Sequence, residues 1–332
     1  MMIETKALRK SFRGRGKTGT VEAVRGVDLT VAEGEIFGFL GPNGAGKTTT
    51  LRMLATLLTP DGGDARVAGV DLRRSPGEVR RRIGYVSQGG GVWDESSARE
   101  ELELQSRIYG HSKAEAKRRA AASIGAFQLD SFADRRAKTY SGGQRRRVDI
   151  ALGCVHGPQL IFLDEPTTGL DPQSRAHMWE EVRRLRETGM TVFLTTHYLE
   201  EADALCDRVA IIDNGQIVIE GTPADLKREI AGDVVTLGLN GSSDKAQSLF
   251  TAEPYVRSME SLDGALRLYV EAGAAAIPHI LRRLDDEGIA LSSIELHRPS
   301  LDDVFLAKTG RSLRDEPKAP AAPELATASK GA

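Results

Sequence analysis

Cysteine is scarce in this chain: Cys154 and Cys206 are the only two among 332 residues, and they form no C-x-x-C pair. A disulfide framework or a zinc site is therefore not expected, and both read as small buried hydrophobes. Long hydrophobic runs are missing too. None approaches the roughly 18 residues that span a bilayer, and the opening Met1-Met2-Ile3-Glu4-Thr5-Lys6 lacks the charged and apolar regions of a signal peptide. That pattern predicts a cytoplasmic chain. Neither charge is in surplus: 45 Lys and Arg against 47 Asp and Glu leave a net charge of -2. Bulk charge thus gives no support to nucleic-acid binding. What is present is an ordinary globular composition, 40% hydrophobic and 28% charged, over a length that predicts two domains.

The densest chemical signal is Gly41-Pro42-Asn43-Gly44-Ala45-Gly46-Lys47-Thr48-Thr49, which fits the phosphate-cradling spacing G-x-x-x-x-G-K-[ST]. The apolar run 36–40 before it reads as a buried parallel strand, and Leu51, Leu54, Leu57 and Leu58 after it share helical spacing. Strand, glycine loop and helix follow in the order that nucleotide binding needs, and ATP is the expected ligand. Glycines at 41, 44 and 46 allow the turns that aim amide N–H groups and a helix N-terminus at one anion. Lys47 adds a point charge for the terminal phosphates. The Thr48 hydroxyl is the expected ligand of Mg2+, which prefers few protein oxygens together with phosphate and water. Gly16-Lys17-Thr18 repeats only the last three letters of the pattern, and residues 13–20 read as a basic surface loop.

Residues 3–36 read as strands, and Phe12 among them is either a purine-stacking ring or a strand-end core residue. Gln88 closes a strand over 83–88, ahead of a flexible Gly89-Gly90-Gly91 joint, and its amide is a candidate contact for Mg2+ or water. From 98 to 127 the pattern turns helical, as an inserted helical subdomain would. Its last helix opens at Tyr140-Ser141-Gly142-Gly143-Gln144, a second anion-seeking helix start. The following Arg145-Arg146-Arg147 reads most simply as a solvated face, though it could also help hold a nucleotide. Residues 160–165 form an apolar strand ending in two carboxylates. Asp164 suits a metal's water shell, while Glu165 faces differently and can orient or deprotonate water. Another apolar strand, over 191–196, ends at His197, which can hydrogen-bond a terminal phosphate. Asn214-Gly215 is a hairpin turn.

Together these pieces resemble the ATP-binding subunits of ABC transporters over residues 3 to about 228. In that resemblance residues 41–48 match the Walker A motif, Gln88 the Q-loop, and Ser141-Gly142-Gly143-Gln144 the signature motif. Residues 160–164 match Walker B, Gly169-Leu170-Asp171 the D-loop and His197 the H-loop, while Phe12 falls near the aromatic that stacks on adenine. The resemblance implies an α/β P-loop NTPase core of ABC type, with its helical subdomain at about 90–157. It also implies ATP hydrolysis with Mg2+ on Thr48, Gln88 and Asp164. Lys47 would offset phosphate charge, Glu165 would act on water, and His197 would contact the departing phosphate. Two such domains pair head to tail in the family, so Ser141 and its glycines would cap the ATP on the partner's phosphate loop. A homodimer, or a pair with a homologue, is expected, docked as a peripheral protein on an integral membrane permease at the cytoplasmic face of the cell membrane. Tyr140, residues 145–150 and the segment 300–310 resemble the daunorubicin/doxorubicin resistance branch. Glu95-Ser96-Ser97-Ala98-Arg99-Glu100 departs from the usual pattern in the region that faces the permease, which bears on partner identity and not on ATP chemistry.

Residues 229–310 read separately. A strand, a helix, two strands, a helix with Ile277, Ile280, Leu281 and Leu284 on one face, and a last strand give the order β-α-β-β-α-β, which predicts a small α+β ferredoxin-like domain. It has no clustered carboxylates, Cys or His, so assembly or regulation is its expected role. Residues 311–332, rich in Pro and Ala, read as a disordered tail. The leading functional expectation is the motor subunit of an exporter of a hydrophobic drug or secondary metabolite. Export of a lipid or polysaccharide is the alternative. A soluble ABC ATPase acting on ribosomes or DNA is disfavoured by the single ATP-binding domain and the near-neutral charge.

Overall fold

The computed structural model describes residues 1–13, 19–230, 232–239, 243–251, 253–262 and 265–310. The Gly16-Lys17-Thr18 loop and the tail 311–332 lie outside the described residues.

Six strands form a central sheet in the order Gln216–Gly221, Arg208–Asp213, Ile36–Leu40, Thr191–Thr196, Leu160–Asp164, Ile83–Val86. Five of them run parallel. Gln216–Gly221 turns back antiparallel through Asn214 and Gly215, whose positive φ values of 48° and 80° suit a mirror-image hairpin turn. Parallel strands are covered on both faces, which is why they read as unbroken apolar runs. The folded chain sorts those runs by alternation. Ile36, Leu40, Ile161, Leu163, Val192 and Leu194 enter one core, and Phe37, Phe39, Phe162 and Phe193 enter another. Phe193 is the hub of the second, with ring centroids 5.6 Å from Phe37 and Phe162 and 5.7 Å from Phe39.

The phenylalanine side is closed by a four-stranded antiparallel sheet in the order Thr20–Val31, Ile3–Arg13, Gly62–Val67, Val70–Asp71. The opposite side is closed by helices, among them Ala98–Ile108, Lys113–Ala126, Gly142–Cys154 and Pro172–Glu187. Two of these begin with a reciprocal capping box, Ser97 with Glu100 and Ser141 with Gln144. The residues 95–100 that depart from the family pattern thus supply a helix start.

Beyond residue 232 the elements Asp233–Leu239, Ser243–Phe250, Val256–Leu262, Ala265–Val270, Gly273–Asp286 and Leu291–His297 follow one another. Their antiparallel sheet has the order Val256–Leu262, Ala265–Val270, Asp233–Leu239, Leu291–His297, the strand order of a ferredoxin-like unit. Val235, Leu237, Phe250, Leu268 and Ile280 form its separate core. The last helix, Leu301–Thr309, does not join that core. Its Leu301, Val304 and Phe305 are buried with Leu226 in the first core, and Lys308 pairs with Glu229 at 2.9 Å. Among the described residues no helix is long and apolar enough to cross a membrane.

Candidate active site

The strand Ile36–Leu40 delivers the glycine loop to the carboxyl end of the parallel sheet, where open α/β folds bind ligands. The loop fits only without side chains at two points. A Cβ on Gly41 would stand 2.2 Å from the Ile212 carbonyl oxygen, and Gly46, at φ +105°, would bring one 2.4 Å from that of Ala23. The Asn214-Gly215 turn braces the loop, as the Gly215 amide donates to the Ala45 carbonyl at 2.9 Å. Gly46 caps the helix Lys47–Leu54, and a helix N-terminus in this place points its dipole at an anion. Lys47 is buried, and its Nζ donates to the carbonyls of Gly41 at 2.6 Å and Pro42 at 3.0 Å.

Two neighbouring strands end beside this loop. The hydroxyls of Thr48 and Thr195 both donate to Asp164 Oδ1, at 2.9 and 2.7 Å. The next residue breaks the strand: Glu165 has φ +46°, a left-handed conformation that costs energy for any residue but glycine. Its amide is held by the Thr195 carbonyl and hydroxyl, both at 3.1 Å. The turn aims the carboxylate at the loop. Oε1 lies 3.7 Å from Lys47 Nζ and 3.2 Å from His197 Nδ1, while Oε2 accepts from Gln88 Nε2 at 2.9 Å and Thr168 Oγ1 at 3.1 Å. Burial pushes the Glu165 carboxyl up, but His197, Lys47 and Thr168 outweigh it and hold it below the ordinary carboxylate value. It is therefore ionised at neutral pH and able to accept a hydrogen bond from water.

A cleft of about 330 Å³ runs along these groups, lined by Phe12, Pro42, Asn43, Gly44, Gly46, Lys47, Thr48, Thr49, Gln88 and Glu165. Phe12 is 42% exposed in this cleft, with Lys10 Nζ 5.6 Å from its ring centroid, so it is not a core residue. Thr48 and Asp164 are brought together as oxygen donors, whereas the Gln88 amide meets Glu165. Ser141, Gly143 and Gln144 line a different cleft, with Ser174 and His177. Among the described residues, the cleft at the second helix start does not include Lys47.

Several features were hidden in the sequence. Arg146, from the triplet read as solvated, is only 6% exposed, and its guanidinium donates to the carbonyls of Ser87, Asp164, Glu165 and Pro166. Its neighbours differ: Arg145 pairs with Asp94, and Arg147 lies 5.4 Å from the Phe132 ring centroid. The glycine joint is pinned rather than free, since the amides of Gly91 and Val92 donate to Asp149 Oδ1 at 2.8 and 3.3 Å. Tyr140 holds the helical subdomain together, its hydroxyl accepting from the Ala98 amide and lying 3.1 and 3.0 Å from the carbonyls of Phe132 and Arg135. The available signal for Arg146 and Asp149 was their i, i+3 spacing among Val148, Ile150 and Ala151, which places two opposite charges on one face of a helix otherwise apolar at that point.

Residues 24–168 match the ABC transporter family, and residues 221–309 match the family described as ATP-binding protein DrrA1-3-like, C-terminal domain. The chain is 45% identical to the daunorubicin/doxorubicin resistance ATP-binding protein DrrA of Streptomyces peucetius, over 97% of this chain and 96% of that one. It is 37% identical to the Nod factor export ATP-binding protein I of Cupriavidus pinatubonensis, over 95% of this chain and 92% of that one. It also superposes on the ATP-binding cassette MJ0796, solved as a dimer in a post-hydrolysis state with ADP and Pi. The TM-score is 0.61 at 27% identity, covering 67% of this chain and 98% of that one.

Proposed function

Since this chain belongs to the ABC transporter ATP-binding proteins, in their daunorubicin/doxorubicin resistance branch, we propose that it hydrolyses ATP to drive export of a hydrophobic drug or secondary metabolite through a separate membrane permease. One observation carries the chemistry: a single ionised carboxylate, Glu165, meets Lys47, His197 and Gln88 under a phosphate-binding loop.

In this reading Lys47 exchanges the Gly41 and Pro42 carbonyls for terminal phosphate oxygens, and the loop amides cradle the rest of the triphosphate. Phe12 stacks on the adenine. Glu165 accepts a hydrogen bond from the attacking water and takes its proton as the bond from water to the γ-phosphorus forms and the bond from that phosphorus to the β-phosphate oxygen breaks, leaving ADP and inorganic phosphate. His197 hydrogen-bonds the departing phosphate. The donor set fits Mg2+, because the Thr48 hydroxyl and the Asp164 carboxylate, 2.9 Å apart, are hard oxygens. Thr48, Asp164 and Gln88 would hold the ion, which when bound would offset charge on the β- and γ-phosphate oxygens.

The separation of Ser141 and its glycines from Lys47 supports a head-to-tail homodimer, in which Ser141, Gly142, Gly143 and Gln144 of one subunit cap the nucleotide of the other. That a similar cassette was solved as a dimer supports pairing of two such chains. We further propose an ATP-binding unit over 1–228 and an assembly or regulatory unit over 229–310, whose last helix packs back into the core of the first, with the protein peripheral to the membrane through its permease.

Drug accumulation tests the whole reading, measured in cells that express this chain with the permease encoded beside it. Lower accumulation with wild type and not with Glu165→Gln is the expected result. Equal accumulation across several hydrophobic drugs would leave the ATPase chemistry standing and overturn the cargo. A lipid or polysaccharide exporter is the second reading, favoured by the similarity to a Nod factor export protein.

A further inference from the structure

The helix Gly142–Cys154 begins at Ser141, one of the residues proposed to cap a partner's nucleotide. Five residues later, about 7.5 Å along the axis, the same helix inserts a buried cation behind its own subunit's Glu165. We propose that Arg146 is a positioning residue for hydrolysis, with Asp149 as its companion. Together they lock the Glu165 turn and both flanks of Gln88 to the signature helix, so that a shift of the helix moves the catalytic carboxylate. The inference rests on the ATP-hydrolase reading of Glu165 and Gln88.

The geometry is specific to a guanidinium. Nε donates to the Pro166 carbonyl at 2.8 Å and Nη1 to that of Ser87 at 2.6 Å. Nη2 reaches the carbonyls of Asp164 at 3.1 Å and Glu165 at 3.3 Å. A planar fork with five N–H donors can serve such a set of acceptors, whereas a single ammonium cannot hold them in one plane. The acceptors belong to two separate segments, the end of the catalytic strand and the residue before Gln88. Asp149, one turn farther along the helix, takes the amides of Gly91 and Val92 after Gln88. That contact is close: a Cβ on Gly90 would stand 2.6 Å from Asp149 Oδ2.

The circuit closes through the site itself, because Gln88 Nε2 donates to Glu165 Oε2. Glu165 needs such support. Its left-handed backbone persists only where the surroundings over-determine it, and Arg146 fixes the carbonyls on both sides of that residue as well as its own. Burying a full positive charge is costly without compensation, and here the carbonyls and the Asp149 carboxylate supply it.

The experiment uses the purified full-length chain, with ATP turnover and the affinity for a fluorescent ATP analogue measured in each variant. Arg146→Gln is expected to lower turnover about 10²-fold while affinity stays within about threefold, the pattern of a misplaced reacting group. Arg146→Lys, which keeps charge and loses the fork, should resemble Arg146→Gln. Asp149→Asn should lower turnover less, and the double variant Arg146→Gln/Asp149→Asn should fall no further than Arg146→Gln alone. Turnover within about twofold of wild type in Arg146→Gln would overturn the proposal. So would turnover and affinity falling together in both Arg146 variants, which would make Arg146 a support of the fold only. Wild-type turnover in Arg146→Lys would overturn the fork and leave charge alone as the requirement. An inactive wild type would instead bring down the ATP-hydrolase reading itself.

Discussion

The central sheet and the small C-terminal sheet are both well packed, yet they differ in what they bury. Around the central sheet Lys47, Arg146, Asp149, Asp164, Glu165, Glu181 and Glu201 are all nearly inaccessible to solvent. Among the described residues of the C-terminal sheet and its helices, no polar or charged side chain is buried to that degree, and the core is wholly apolar. Burying a charge is tolerated only with partners, so the first region must spend interactions on holding those groups. Such an arrangement is expected where chemistry is done and not where a surface is merely supported.

Variants can break this comparison or sharpen it. The largest effect is expected at Glu165, where Glu165→Gln should cut ATP turnover about 10²–10⁴-fold, the usual worth of a general base. Nucleotide affinity and thermal stability should both be retained; turnover that persists would remove Glu165 from the role of base. Ile280→Ala tests the other region and should give the opposite pattern. It truncates a fully buried side chain in the third core and should destabilise that unit by about 2–5 kcal/mol. ATP turnover of the folded chain should not change, and a matching loss of turnover would show that the two regions are not separable.

Phe12→Ala should weaken ATP binding by about 0.5–1.5 kcal/mol, as expected for a lost aromatic stack. Inorganic tripolyphosphate should bind the variant as it binds wild type, and an equal loss for both ligands would rule out stacking. The smallest effect is expected at Glu201. Burial pushes this carboxyl above its ordinary value, although Thr196, Thr167 and Trp179 hydrogen-bond it. The native state then holds the proton more tightly than the unfolded chain does. The associated stability is complete below the unfolded pKa and is lost as pH rises through the raised native value. Glu201→Gln does not titrate, so its Tm relative to wild type should climb as pH rises from below the unfolded carboxyl pKa through the raised native value. A constant difference would mean that Glu201 carries no such shift.

Much of this was legible in the sequence, because local signals carried it. The glycine loop, the strand ending in Asp164 and Glu165, and the alternating β-α-β-β-α-β order each depend on residues close together in the chain. Other features were set by distant packing. An arginine in a basic triplet looks solvated whether or not carbonyls from residues 87 and 164–166 surround it. Three glycines in a row look mobile until an aspartate far along the chain takes the amides of the last of them and of Val92. Nothing local marks the left-handed backbone of Glu165. The capping box Ser97-x-x-Glu100 was readable from its spacing and simply lay within a stretch noted for its departure from relatives.

The helix Leu301–Thr309 changes what the ferredoxin-like unit is mechanically. The chain leaves the large body after Pro223–Ile230 and returns to it at Leu301–Thr309, and these two helices pack side by side, joined by Lys308 and Glu229. The small unit is thus a handle fastened at both ends, not a pennant trailing from one. A force on it reaches the large body through two adjacent anchors, which resist twisting far better than a single tether. A stop codon anywhere before Leu301 would also remove more than the handle, since Phe305 and its neighbours would be pulled out of the large body's own interior.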